Sequence, residues 1–318
     1  MESALQLDQV TKKFGAVTAV DEVSLNIPSG SIYGFLGQNG AGKTTTIRMI
    51  MSIIYPDSGS MSVLGSPSSE AVKDRLGYLP EEKGLYKKMT AGEILTYFGR
   101  LKGMGRGAAK RRGRELLQQY GLGDWVDKKC ETLSKGMGQK VQVLGTLIHD
   151  PELVILDEPF SGLDPVNVEL MRDIILSMKR EGRTVIFSTH MMAQAEQLCD
   201  SIFLIHQGRK VLDGSLAEVK ASGDRGILLD YDGDGAVVQG LSEKVPGIVR
   251  INDSGKQAEI YLGDETDPQE ILRHLVESNL VIRRFDLREP SLHEVFVRAV
   301  GLENAQMADG ASEGESHA

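Results

Sequence analysis

The chain has 318 residues, 41% of them hydrophobic, enough for one large domain and a smaller one with real cores. Its formal net charge of −9 is uneven: residues 1–218 hold 26 basic and 26 acidic groups, 219–300 hold 10 and 15, and the last 18 hold four acids and no Lys or Arg. A neutral body argues against a general nucleic-acid binder, which needs a basic face to neutralise phosphates. The N-terminal stretch MESALQLDQV has no basic n-region and no apolar h-region, so no signal peptide is expected. No apolar run approaches the ~20 residues that span a bilayer, so a soluble chain is expected, and any spanning must come from another chain. Cys130 and Cys199 match no metal or redox spacing and read as reduced cytosolic thiols.

In chain order, SLNI and SIYGFL read as strands, TTTIRMIMSII as a helix and LGYLP as a strand. Residues 90–149 then look all-helical: AGEILTYFGRLKGM, AAKRRGRELLQQYGL, and a helix entered through LSKGMGQK. LVILD, the helix VNVELMRDIILSMKR, and the strands TVIFSTH and SIFLIH follow. Strands alternating with helices predict an α/β fold: a mainly parallel sheet covered on both faces, with 90–149 as a helical insertion and ligands at the carboxyl ends of strands. Residues 100–114 hold seven Lys or Arg. They read as a solvated helix face, with docking to an acidic partner or to lipid heads as the alternative.

The composition changes near residue 219. ILLDYDG, IVRIND and QAEIYL alternate as half-exposed strands, PQEILRHLVES reads as a helix, and VIRRFDL and SLHEVFVRAV add a strand and a helix. The expected organisation is therefore a body over 1–218, a small α+β domain over 219–301, and an acidic disordered tail over 302–318. No internal repeat is visible.

GFLGQNGAGKTTT is the strongest signal. Gly37, Gly42, Lys43 and Thr44 fit G-x-x-x-x-G-K-[ST] between a strand and a helix, and Asn39, Gly40 and Thr45 belong to the same nucleotide-binding stretch. Glycines let the backbone wrap a polyphosphate, and successive N–H groups form an anion nest at the helix start. Lys43 reaches the β- and γ-phosphates, and the Thr44 hydroxyl ligates Mg²⁺. LVILDEP is an apolar strand ending in two acids: Asp157 placed to hold Mg²⁺, and Glu158 placed to take a proton from an attacking water. Neighbouring residues of a strand point opposite ways, so both acids reach one pocket only if the backbone turns at the strand end. LSKGMGQK reads as a glycine-bearing helix start whose backbone N–H groups are left open.

A P-loop, a glycine signature, LDEP, SGLDP and a strand ending in His190 occur in the order that resembles the ATP-binding cassette (ABC) ATPases, over about residues 1–215. The resemblance implies a P-loop NTPase core and a dimer: two ATP molecules sandwiched between head-to-tail cassettes. In that arrangement Ser134 and Gly136 of one subunit bind the γ-phosphate held on the P-loop of the other. By the same resemblance, Phe14 stacks on adenine, a strand-core ring being the alternative; Asp164 lies in the loop crossing the interface; and His190 touches the γ-phosphate.

Two departures stand out. Glu81 in GYLPEEKG occupies the place of a usual Gln, where it could bind Mg²⁺ or position water but adds negative charge near the phosphates. The signature reads LSKGM rather than LSGGQ, with Ser134 and Gly136 in register. These features and the small C-terminal domain resemble the export-type cassette subunits of sodium- and drug-efflux systems. That implies a Mg-ATP-hydrolysing subunit held at the cytoplasmic face of the cell membrane by a separate permease, paired with an identical or related cassette, and acting without nucleic acid. The partner's docking place would be the cleft between Glu81 and the helical insertion. An importer ATPase, or a soluble or regulatory cassette protein, is the alternative.

Overall fold

The computed structural model describes residues 2–82, 84–223, 225–263, 266–278 and 280–301. They form two compact units, one ending at Gly214 and the other beginning at Ser215. The expected disordered tail, 302–318, lies outside the described residues. Among the described residues no helix is long and apolar enough to cross a membrane.

The first unit begins with β1 (Ser3–Phe14), β2 (Val17–Pro28), β3 (Ile32–Leu36), α1 (Lys43–Ile50), β4 (Ser58–Val63) and β5 (Leu76–Leu79). The helical segment α2 (Ala91–Leu101), α3 (Arg106–Gln119) and α4 (Lys135–Leu147) follows, then β6 (Leu153–Asp157), α5 (Pro165–Arg180), β7 (Thr184–Thr189), α6 (Met192–Leu198), β8 (Ser201–His206) and β9 (Arg209–Ser215). A six-stranded sheet runs in the order β5-β6-β7-β3-β8-β9, parallel from β5 to β8. Every residue of β3, β6 and β7 is buried, which is why they read as continuous apolar runs. Register aligns their carboxyl ends: Asp157 pairs with Ser188, and Leu36 with Thr189. The P-loop, the two acids and His190 therefore leave the sheet from three adjacent strand ends.

A second sheet, antiparallel in the order β2-β1-β4, was not expected from the sequence. Leu5, Leu7 and Val10 of β1 point inward, but Gln9 at φ +46° and several register shifts break the period-two pattern. Inward residues of both sheets enclose α1 in one core, with Leu5, Val23 and Ile27 on one side, Ile47, Met49 and Ile50 within, and Phe35, Ile155 and Phe203 on the other. A fully buried Phe35, 5.1 Å from the Phe203 ring, contributes about 1.5–3 kcal/mol by burial.

In the helical segment α2 starts with a reciprocal cap. Thr90 Oγ1 accepts from Glu93 N–H at 3.2 Å, and the Glu93 carboxylate accepts from Thr90 N–H at 2.9 Å. Gly145 of α4 lies against the Phe98 ring, so α2 and α4 pack closely.

The second unit opens with α7 (Leu216–Ala221). It continues as β10 (Arg225–Asp232), α8 (Gly235–Gln239), α9 (Leu241–Lys244), β11 (Ile248–Asp253), β12 (Gln257–Leu262), α10 (Pro268–Glu277), β13 (Val281–Arg288) and a last helix over 292–301. The sheet order is β11-β12-β10-β13, antiparallel throughout. Ile227, Leu229 and Tyr231 alternate inward with Ala258, Ile260 and Leu262, and Val238, Leu241, Ile271 and Leu275 close that face.

Candidate functional site

The loop from Gly37 to Gly42 joins β3 to α1. Gly42, immediately before the helix, has φ +113°, and a Cβ there would lie 2.6 Å from the Ala19 carbonyl of β2. A Cβ at Gly37 would overlap the Ile205 carbonyl of β8. The loop is thus pressed between the two sheets, and only glycine fits at these points. The antiparallel sheet supplies one wall of the site.

The loop curls round a cavity of about 300 Å³ lined by Asn39, Gly40, Gly42, Lys43, Thr44 and Thr45, with Ala19, Glu81 and Glu158. Lys43 is buried, and its Nζ donates to the carbonyls of Gly37 at 2.7 Å and Gln38 at 3.1 Å. Burial lowers the Lys43 pKa below its ordinary value, and Glu158, Asp157 and Glu81 oppose that shift. Glu81 itself is exposed.

Asp157 ends β6 fully buried, and Glu158 follows at φ +48°, in the left-handed region. That turn brings both carboxylates to one side. Ser188 of β7 braces them: its Oγ accepts from Glu158 N–H at 2.9 Å and donates to Asp157 Oδ1 at 2.5 Å. The Glu158 carboxylate faces His190 Nδ1 at 3.1 and 3.2 Å and lies 3.9 Å from Lys43 Nζ. Thr44 Oγ1 approaches Asp157 Oδ1 at 3.5 Å, while Asp157 Oδ2 is buried without a hydrogen-bond partner among the described residues.

An orphaned carboxylate oxygen beside a threonine hydroxyl suits a hard divalent cation. Among the described residues no group of three or more His, Cys, Asp or Glu is set to hold a metal ion. A cation held there by these two groups would take its other ligands from phosphate and water, the coordination that Mg²⁺ favours.

The other expected residues lie apart from this cavity. Phe14 ends β1 and is 51% exposed, so it is no core ring. Ser134 caps α4, its Oγ accepting from Met137 N–H at 3.2 Å, so the helix start is less open than the sequence suggested. Gly136 abuts the Asn167 side chain. Asp164 caps α5, accepting from Asn167 N–H at 3.0 Å and Nδ2 at 2.6 Å. Ser134, Gly136 and Asp164 are not among the residues lining the chain's own cavity.

Two contributors were not foreseen. Ser188 is hidden within an apolar strand, where a lone serine carries no sequence signal. Gln139, buried in α4, donates through Nε2 to the Pro159 carbonyl and so ties the signature helix to the loop after Glu158.

Residues 20–161 match the ABC transporter family, and residues 214–300 match the C-terminal domain of DrrA1-3-like ATP-binding proteins. An uncharacterized ABC transporter ATP-binding protein of Bacillus subtilis, YhaQ, is 41% identical over 298 residues, covering 93% of this chain and 98% of the relative. The chain belongs to the ABC transporter ATP-binding proteins. It is accordingly an ATP-binding, ATP-hydrolysing subunit of the kind that works with a membrane permease. The Nod factor export ATP-binding protein I of Paraburkholderia xenovorans is similar to this ATP-binding protein at 32% identity over 305 residues, 95% of this chain and 98% of the relative. A solved ATP-binding subunit of an ABC transporter superposes with a TM-score of 0.62 at 30% identity, covering 69% of this chain and 92% of its own.

Proposed function

We propose that this ATP-binding subunit pairs head-to-tail with a second cassette around two Mg-ATP molecules and drives export through a separate permease at the cytoplasmic face of the membrane. The observation that carries the reading is the split of the site. The loop, Lys43, Glu81 and Glu158 line one cavity, whereas Ser134, Gly136 and Asp164 do not. A second subunit would supply those three groups to the γ-phosphate side.

Within one chain the roles follow from position. Loop N–H groups and Lys43 hold the phosphates, and Phe14 offers an exposed face for the adenine ring. Thr44 and Asp157 would hold Mg²⁺, with Glu81 facing the same cavity; the ion would neutralise charge developing on the phosphate oxygens. Glu158 takes the proton of the attacking water, and His190, hydrogen-bonded to Glu158, orients that carboxylate and reaches the γ-phosphate. Loss of the γ-phosphate contacts then lets the pair open, which drives a permease that distinguishes closed from open. A groove of about 580 Å³ lined by Tyr78, Leu85, Tyr86, Phe98 and His149 is where the permease would dock. Export as the direction is supported by similarity to a protein named for Nod factor export.

The test is Glu158→Gln. The variant should bind ATP, form a dimer with Mg-ATP but not with Mg-ADP in sedimentation, and lose most turnover. Near-normal turnover would refute the base; a variant that stays monomeric with its permease and saturating Mg-ATP would refute the shared site.

A further inference from the structure

A groove of about 830 Å³ lies between α2 and α3, away from the phosphate cavity. Four cations line it, Arg100, Arg106, Lys110 and Arg114, against two acids, Glu93 and Asp127. Both acids are engaged: Glu93 completes the α2 cap, and Asp127 accepts from Arg114 at 3.3 Å. Arg100, Arg106 and Lys110 are exposed and make no ion pair or side-chain hydrogen bond with a described residue.

Arg106, Lys110 and Arg114 recur every four residues, so α3 presents them on one face, where like charges repel. The first turn of α3 contains no acid, and its cap, Gly105, makes no side-chain bond, so the row begins where the helix dipole least favours cations. A charge row that weakens its own helix is expected where an outside anion compensates it. Beside the cations stand Leu101, 64% exposed, and Tyr97, whose ring meets the exposed Tyr86 edge-on at 5.6 Å. Tyrosine, leucine and arginine together make the composition of a membrane-interface surface.

We propose that this groove binds the phosphate headgroups of anionic phospholipids, laying the helical segment against the membrane surface. It rests on the reading that the subunit works at a membrane. Long exposed side chains without fixed partners can follow mobile phosphates, which suits a field of headgroups better than the ordered carboxylates of one peptide.

The test is cosedimentation of the full chain with vesicles of equal parts phosphatidylcholine and phosphatidylglycerol, against pure phosphatidylcholine. Binding is expected only with phosphatidylglycerol and should weaken as salt rises. The triple variant Arg100→Gln, Arg106→Gln, Lys110→Gln should bind on the order of a hundredfold less tightly, each basic group near an anionic surface contributing about fivefold. The same charge change in the second unit, Lys244→Gln, Lys256→Gln, Arg273→Gln, should leave binding near wild type. Equal binding to both vesicles, equal loss in both triple variants, or full displacement by millimolar inorganic phosphate would overturn the proposal. So would failure of the wild-type chain to bind, which would leave an acidic protein segment as the occupant. ATP turnover without permease should be the same in the groove variant and the wild type. A failed vesicle assay with normal ATP-driven dimerisation therefore strikes this proposal and spares the transport reading.

Discussion

Ser188→Ala isolates the joint between the two acids. The change is nearly isosteric, so no cavity is opened, but two buried groups lose a hydrogen bond: the Glu158 N–H its acceptor at 2.9 Å, and Asp157 Oδ1 its donor at 2.5 Å, which leaves that oxygen only the 3.5 Å approach of Thr44 Oγ1. An unsatisfied buried group costs about 1–3 kcal/mol, and somewhat more where the acceptor is charged. The two together come to roughly 2–5 kcal/mol after partial relaxation. For a unit of this size, 1 kcal/mol moves the midpoint by about 2–4 °C, so the unfolding transition of the first unit should fall on the order of 10 °C. Differential scanning calorimetry of the full chain reads that shift. Turnover should fall at least tenfold as well, because the same hydroxyl holds the Asp157 carboxylate and the backbone N–H of Glu158. A midpoint within about 2 °C of wild type, with turnover intact, would refute the bracing role.

Other outcomes follow from the same site. Glu81→Gln removes a carboxylate from the cavity wall and should tighten ATP binding about threefold to tenfold at low salt, read by titration calorimetry; unchanged affinity would place Glu81 too far from the phosphates. Gly42→Ala should abolish nucleotide binding, since φ +113° and the Ala19 carbonyl both oppose a Cβ; retained binding would contradict the loop geometry. Burial, and after it Asp157, push Tyr78 up to about 12. The unfolded chain gives up that proton near pH 10. The resulting stability is full below about pH 10 and is lost as pH rises towards 12, so Tyr78→Phe should flatten that decline in alkaline melts.

The sequence made the parallel core legible because buried strands such as LVILD are uninterrupted apolar runs and the P-loop fixes its own context. It also made the small domain legible, since ILLDYD and QAEIYL alternate. The antiparallel sheet escaped because the irregularities at Gln9 and Lys12 break the alternation of β1, and SGSMSV in β4 offers almost no apolar residues. At the site, Asp157, Glu158 and Lys43 were readable from type and order. Ser188 and Gln139 were not, since what they do depends on which strand or loop the fold sets beside them. Ser134 was expected as a phosphate ligand by resemblance alone, and its cap to Met137 appears only once the helix start is located.

The backbone at position 158 has a consequence for mutagenesis. At φ +48° it sits where β-branched side chains are strongly disfavoured. Replacements there therefore fall into two groups. Unbranched ones such as Gln would report on the proposed proton transfer, whereas Val, Ile or Thr would also bend the turn that joins Asp157 to Pro159. A saturation scan at this codon would register conformational cost and lost chemistry in the same dead variants, and only ATP affinity, measured alongside turnover, would tell them apart.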